Sequence, residues 1–93
     1  MPTAHLLIKG KVQGVFYRAT ARKIANEMGI TGWARNTSEG DVEVMATGKQ
    51  EALDRFIAWC RRGPEMAAVT DIIISKMAPA EFKGFAISRG NAF

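Results

Sequence analysis

The pattern of apolar residues along this chain of 93 residues predicts an α+β fold: a two-layer sandwich with an antiparallel sheet and two helices on one face. Three observations predict it. Four stretches read as strands and two carry apolar residues at the helical period. They follow one another as β-α-β-β-α-β. No repeat, linker or low-complexity tract divides the chain, so residues 1–93 are expected to form one domain, and a hydrophobic fraction of 47% can fill one core.

The first strand is expected over 4–12, with Leu6, Ile8 and Val12 on one face. A helix over 18–28 places Ala21, Ile24, Ala25 and Met28 on one stripe, and Gly29 supplies a left-handed C-cap. A second strand, 30–36, and a third, 41–47, are joined by Thr37-Ser38-Glu39-Gly40 and read as a hairpin. The second helix, 49–62, shows Leu53, Phe56, Ile57 and Cys60 at i, i+3, i+4 and i+7. Thr47 with Gln50 forms a candidate capping box there, with Gly48 as the alternative cap, and Gly63-Pro64 stops the helix. A strand over 69–76 follows, then a loop to Gly84. Phe85-Ala86-Ile87 reads either as a short last strand or as an extension of the fourth. Right-handed crossovers put both amphipathic helices on the same side, which is the ferredoxin-like arrangement. That arrangement hosts many unrelated functions and names none.

Composition narrows the classes. No apolar run approaches the ~20 residues that span a membrane, and Met1-Pro2-Thr3-Ala4-His5 lacks the features of a signal peptide. A lone cysteine, Cys60, makes no internal disulfide, so a cytoplasmic location is expected. One histidine and one cysteine build no metal cage, and no Walker loop or dinucleotide fingerprint occurs. The net charge of +4 originates in the first 36 residues, where six basic side chains face Glu27 alone. Such a field suits a small anion or nucleic acid, and a solvated basic face equally.

The segment after the first strand fits neither period. Gly10 and Gly14 bracket Lys11-Val12-Gln13, and Arg18 opens the helix. Unpaired amides and the helix dipole make such an end a ready anion site. Gly14 permits positive φ, amides from Gly14 to Arg18 can form a nest, and a guanidinium matches phosphate oxygens. From the loop alone, a tight turn with a surface arginine is an equal reading.

Lys9-Gly10-Lys11-Val12-Gln13-Gly14-Val15-Phe16-Tyr17-Arg18 resembles the first signature of the acylphosphatase family, K-G-x-V-Q-G-V-x-[FY]-R. The stretch from Gly29 through Gly32-Trp33 and Asn36 to Gly40 and Val42 resembles its second, G-x-x-G-[WF]-x-x-N-x-x-x-G-x-V. Both match without gaps. Weaker similarity continues through Gly48, Phe56, Gly63-Pro64 and Gly84-Phe85-Ala86-Ile87, so it covers nearly the whole chain. The resemblance implies hydrolysis of a small-molecule acyl phosphate without metal or cofactor. It implies Arg18 as the phosphate-binding arginine and Asn36 as the residue that orients water. Backbone amides of Gln13, Gly14, Val15, Phe16, Tyr17 and Arg18 are the implied phosphate cradle. Without the paired signature, Asn36 reads as a turn residue. The tail Ser88-Arg89-Gly90-Asn91-Ala92-Phe93 departs from the family pattern, which leaves its path open.

Trp33, Trp59 and Cys60 read as packing groups, Cys60 as half-buried. Lys9 and Lys11 read as contributors to the local potential. The rival reading is a non-catalytic module of the same fold that binds RNA or a protein. RNA is disfavoured because the first and third strands lack an aromatic stacking pair. No membrane partner is expected, and the chain is expected to act as a monomer.

Overall fold

Alternating burial along the strands sets the layers. The structure, a computed structural model, describes residues 1–88; the tail 89–93 lies outside the described residues. The elements are β1 (Thr3–Lys11), α1 (Tyr17–Met28), β2 (Thr31–Asn36), β3 (Val42–Thr47), α2 (Gln50–Arg62), β4 (Ala68–Met77) and β5 (Phe85–Ile87). In β1, Ala4, Leu6 and Ile8 are buried while His5, Leu7 and Lys9 are half-buried on the other face. Val42, Val44 and Ala46 of β3 repeat the alternation beside them. Onto this face pack Ala21 and Ala25 of α1 and Leu53, Phe56 and Cys60 of α2, in one continuous core. Two helices on one face of a sheet are what the sequence pattern predicts.

The sheet order is β4-β1-β3-β2-β5. β1, β2, β3 and β4 pair antiparallel. Of the two readings left open for 85–87, the separate strand is the one found. β5 lies at the edge opposite β4 and runs parallel to β2, an addition to the antiparallel sheet. The chain reaches that edge by crossing the ends of β1 and β3. There Ala80 donates its amide to Thr3 Oγ1 at 2.9 Å, and its carbonyl accepts from Thr47 Oγ1 at 2.9 Å.

That crossing also explains why the capping box does not form. The Thr47 hydroxyl is engaged with Thr3 and Ala80, and Lys49 is the N-cap of α2 without a side-chain bond. Gly29 caps α1 as expected, at φ 71° with its amide on Ala25 and Asn26 carbonyls. Cys60 is fully buried, not half-buried, and burial pushes its thiol up to about 12.

Tyr17 joins the two helices at the start of α1. It is 1% exposed and its ring centroid lies 5.3 Å from that of Trp59. Its Oη donates to the Cys60 carbonyl at 2.7 Å. Cys60 lies in the last turn of α2, where carbonyls lack intrahelical partners, so Tyr17 serves as a tertiary cap. Burial pushes the phenol well above its usual range, so it stays a donor across physiological pH. Tyr17→Phe leaves that carbonyl unsatisfied and is expected to cost about 1–3 kcal/mol. Denaturant unfolding of the two proteins reads the loss as a lower midpoint at unchanged slope.

Candidate active site

The loop between β1 and α1 begins with a forced glycine. The pairing of β1 with β4 shifts between Lys9 and Gly10, and a Cβ on Gly10 would lie 2.2 Å from the Ala68 carbonyl oxygen. Beyond that irregularity Gly10 and Lys11 go on pairing with Val69 and Ala68 of β4. The backbone then turns left-handed twice, at Gly14 (φ 75°) and at Phe16 (φ 63°). Glycine adopts this conformation freely, but a phenylalanine bears a cost of roughly 1–2 kcal/mol. Phe16 is the N-cap of α1, has no capping side-chain bond, and is 79% exposed. The first helical bond is the Thr20 amide to the Phe16 carbonyl at 3.1 Å. Among the described residues, no backbone amide from Gly14 to Ala19 has an acceptor in the protein.

Asn36 ends β2, opposite Val42 of β3. Its Oδ1 is buried and has no hydrogen-bond partner among the described residues. The turn beyond it is closed by the Thr37 amide on the Asp41 carbonyl at 2.9 Å and by the Asp41 amide on Thr37 Oγ1 at 3.1 Å. The Gln13 side chain ties this turn to the loop. Its Nε2 donates to the Thr37 carbonyl at 2.9 Å and to the Asp41 carbonyl at 2.8 Å. Lys9 Nζ adds a bond to Asp41 Oδ2 at 2.9 Å. Lys9 is therefore paired, and does not lend the free charge the sequence suggests.

A cleft of about 360 Å³ opens between these parts. Gly14, Phe16, Tyr17 and Arg18 border it on one side and Asn36 on the other. The two signatures, 18 residues apart from Arg18 to Asn36, thus meet at one place. Of the loop residues singled out in the sequence, Gln13 and Val15 do not line it. Gln13 turns to the hairpin, and Val15 is 8% exposed within the core. Arg18 is half-buried, and its Nη1 donates to the Ser88 carbonyl at 3.3 Å. β5 makes that contact possible, because the Ser88 amide bonds to the Ala34 carbonyl of β2. The strand also brings Ile87 to the cleft. Sequence reasoning missed Val12, Ile87, Ala19 and Arg22. Arg22 alone left a signal, since it stands four residues after Arg18 and so shares its helix face.

A family profile for acylphosphatases matches residues 4–87. The chain belongs to the acylphosphatase family. It is 49% identical over 90 residues to an acylphosphatase of Methylococcus capsulatus, covering 96% of this chain and 98% of that one. Among solved structures, an acylphosphatase from Coxiella burnetii superposes with a TM-score of 0.90 at 36% identity, covering 94% of this chain and 92% of the other. That of Bacillus subtilis gives 0.91 at 30% identity, covering 95% and 99%. The chain is thus a hydrolase acting on small acyl phosphates. The open sheet face fits that conclusion better than the RNA-binding alternative. Central strands β1 and β3 present Leu7 and Met45 there, not an aromatic stacking pair, and Arg35 on that face is already paired with Glu43. No described helix is long and apolar enough to cross a membrane.

Electrostatically the site is one-sided. α1 has no acidic residue in its first turn, and Arg18 has no carboxylate partner among the described residues. On the open sheet face, burial raises Glu43, yet hydrogen bonds from His5 and Arg35 outweigh it and hold the carboxyl below its ordinary range. That network neutralises Arg35 and keeps its charge away from the cleft. The positive potential at the cleft comes from Arg18, Arg22 and the helix start.

Proposed function

We propose that Arg18 and the unpaired amides at the start of α1 hold the phosphoryl group, and that Asn36 orients the attacking water. One observation carries the reading: Asn36, whose buried Oδ1 has no hydrogen-bond partner among the described residues, borders the same cleft as Arg18 and the amides at the start of α1. A buried acceptor left unsatisfied costs about 1–3 kcal/mol, which a binding role accounts for.

The chemistry follows from those groups. The leaving carboxylate is a weak base and departs without a proton. Charge on the transferring phosphoryl group is spread over its equatorial oxygens in a loose transition state. A guanidinium and aligned amides stabilise that charge in place, taking the part a divalent cation plays in other phosphoryl transfers. Asn36 Oδ1 accepts a hydrogen bond from water and fixes its line of approach; a neutral amide cannot remove the proton itself. As the P–O bond to water forms and the bond to the carboxylate breaks, the water proton passes to a phosphoryl oxygen. The products are a carboxylate and dihydrogen phosphate, with atoms and charge balanced.

The proposal extends to a single domain, 1–93, working as a monomer in the cytoplasm. Its support is that Arg18, the loop amides and Asn36 line one cleft of one folded unit, and that a single cysteine makes no internal disulfide. Steady-state hydrolysis of benzoyl phosphate with a chelator present tests the mechanism. Turnover is expected to persist, and inorganic phosphate is expected to inhibit competitively because it fits the same cradle. Strict dependence on added Mg²⁺ contradicts the reading.

A further inference from the structure

We propose that Arg22 makes the enzyme select acyl phosphates whose acyl group carries a second anionic group, such as a carboxylate. The inference rests on Arg18 marking the phosphate end of the cleft.

Arg22 lines the same cleft as Arg18. It lies one turn further along α1, about 6 Å along the axis and on the same face. Its side chain is exposed and has no acidic partner among the described residues. α1 has no acid until Glu27, in its last turn. Two guanidiniums at i and i+4 repel each other, and Arg18 stands in the first turn, at the positive end of the helix dipole. The free helix is disfavoured by this arrangement, and anions bound along its face relieve it. A plain acyl phosphate supplies an anion at Arg18 alone. An acyl group with a terminal carboxylate supplies a second at Arg22. Phe16, exposed on the cleft rim, and Ile87 give its hydrocarbon stem two apolar surfaces.

The test compares benzoyl phosphate with 3-carboxybenzoyl phosphate. The ring of the second cannot close to an internal anhydride, and both are followed in the ultraviolet. For each protein the ratio of the two kcat/KM values is read, and comparing that ratio between proteins cancels intrinsic leaving-group differences. Arg22→Gln is expected to lower the ratio favouring the carboxylated substrate about fivefold, the effect of one partly exposed charge pair, through KM. Arg22→Lys is expected to restore part of it, having the charge without the planar fork. Lys23→Gln, which removes the neighbouring exposed charge that does not line the cleft, is expected to leave the ratio in place. An unchanged ratio in Arg22→Gln overturns the inference and leaves the roles of Arg18 and Asn36 standing. An equal fall in Lys23→Gln also overturns it, because the general field then explains the preference. Failure of the wild type to hydrolyse either substrate overturns the cleft reading and this inference together.

Discussion

Arg18→Ala is expected to lower kcat/KM for benzoyl phosphate by about 10³ or more. Removing one neutral donor from a site that stabilises developing charge typically costs about 10²–10³. Arg18 is charged, half-buried, and unopposed by any carboxylate among the described residues, so its loss should lie at or beyond the upper end. The loss divides between ground state and transition state, because the dianion is held before and during transfer. KM should therefore rise and kcat fall together. Stability should shift by no more than about 0.5 kcal/mol, since among the described residues the guanidinium makes one long bond, 3.3 Å to Ser88, and fills no core space. A variant that unfolds readily would assign Arg18 a structural part instead. Arg18→Lys tests geometry: a point charge retains attraction but not the two-pronged match to phosphoryl oxygens, so recovery should be partial.

Asn36→Ala is expected to behave differently. Turnover should fall by about 10²–10³, the worth of an interaction made in the transition state, while affinity for inorganic phosphate changes by less than about threefold. The contrast follows from the proposed mechanism, in which the amide touches water and not the bound anion. Its effect on stability carries a second signature. Oδ1 is buried without a partner among the described residues, so truncation removes an unsatisfied acceptor. The variant should be as stable as the parent, or more stable by up to about 1 kcal/mol. Thermal unfolding measures this directly. A marked loss of stability would assign Asn36 to the turn, the reading that its position at a strand end also permits.

Much of this was legible in the chain because it rests on local rules. Period-two burial at Leu6 and Ile8, the helical stripe through Ala21 and Ala25, and the left-handed Gly29 cap each need only neighbours within a few residues. Arg18 and Asn36 were legible through two signatures whose convergence a folded sheet then supplies. What escaped depends on contacts distant in sequence. Parallel pairing of β5 beside β2 depends on the crossing anchored at Thr3, Thr47 and Ala80. The same anchoring occupies the Thr47 hydroxyl and cancels the capping box that spacing suggests. Gln13 was read for its amide alone, yet its side chain locks loop to hairpin across 24 and 28 residues. Lys9 looked like free charge until the fold brought Asp41 to it. The strain at Phe16 could not be anticipated either, since phenylalanine does not favour a left-handed backbone.

Calorimetric titration of inorganic phosphate into the wild type, Arg18→Ala and Asn36→Ala, all with chelator present, tests the division of labour most directly. The account predicts that wild type and Asn36→Ala bind phosphate within about threefold of each other and that Arg18→Ala binds at least about tenfold more weakly. Phosphate bound equally well by Arg18→Ala, or lost in Asn36→Ala alone, would contradict it.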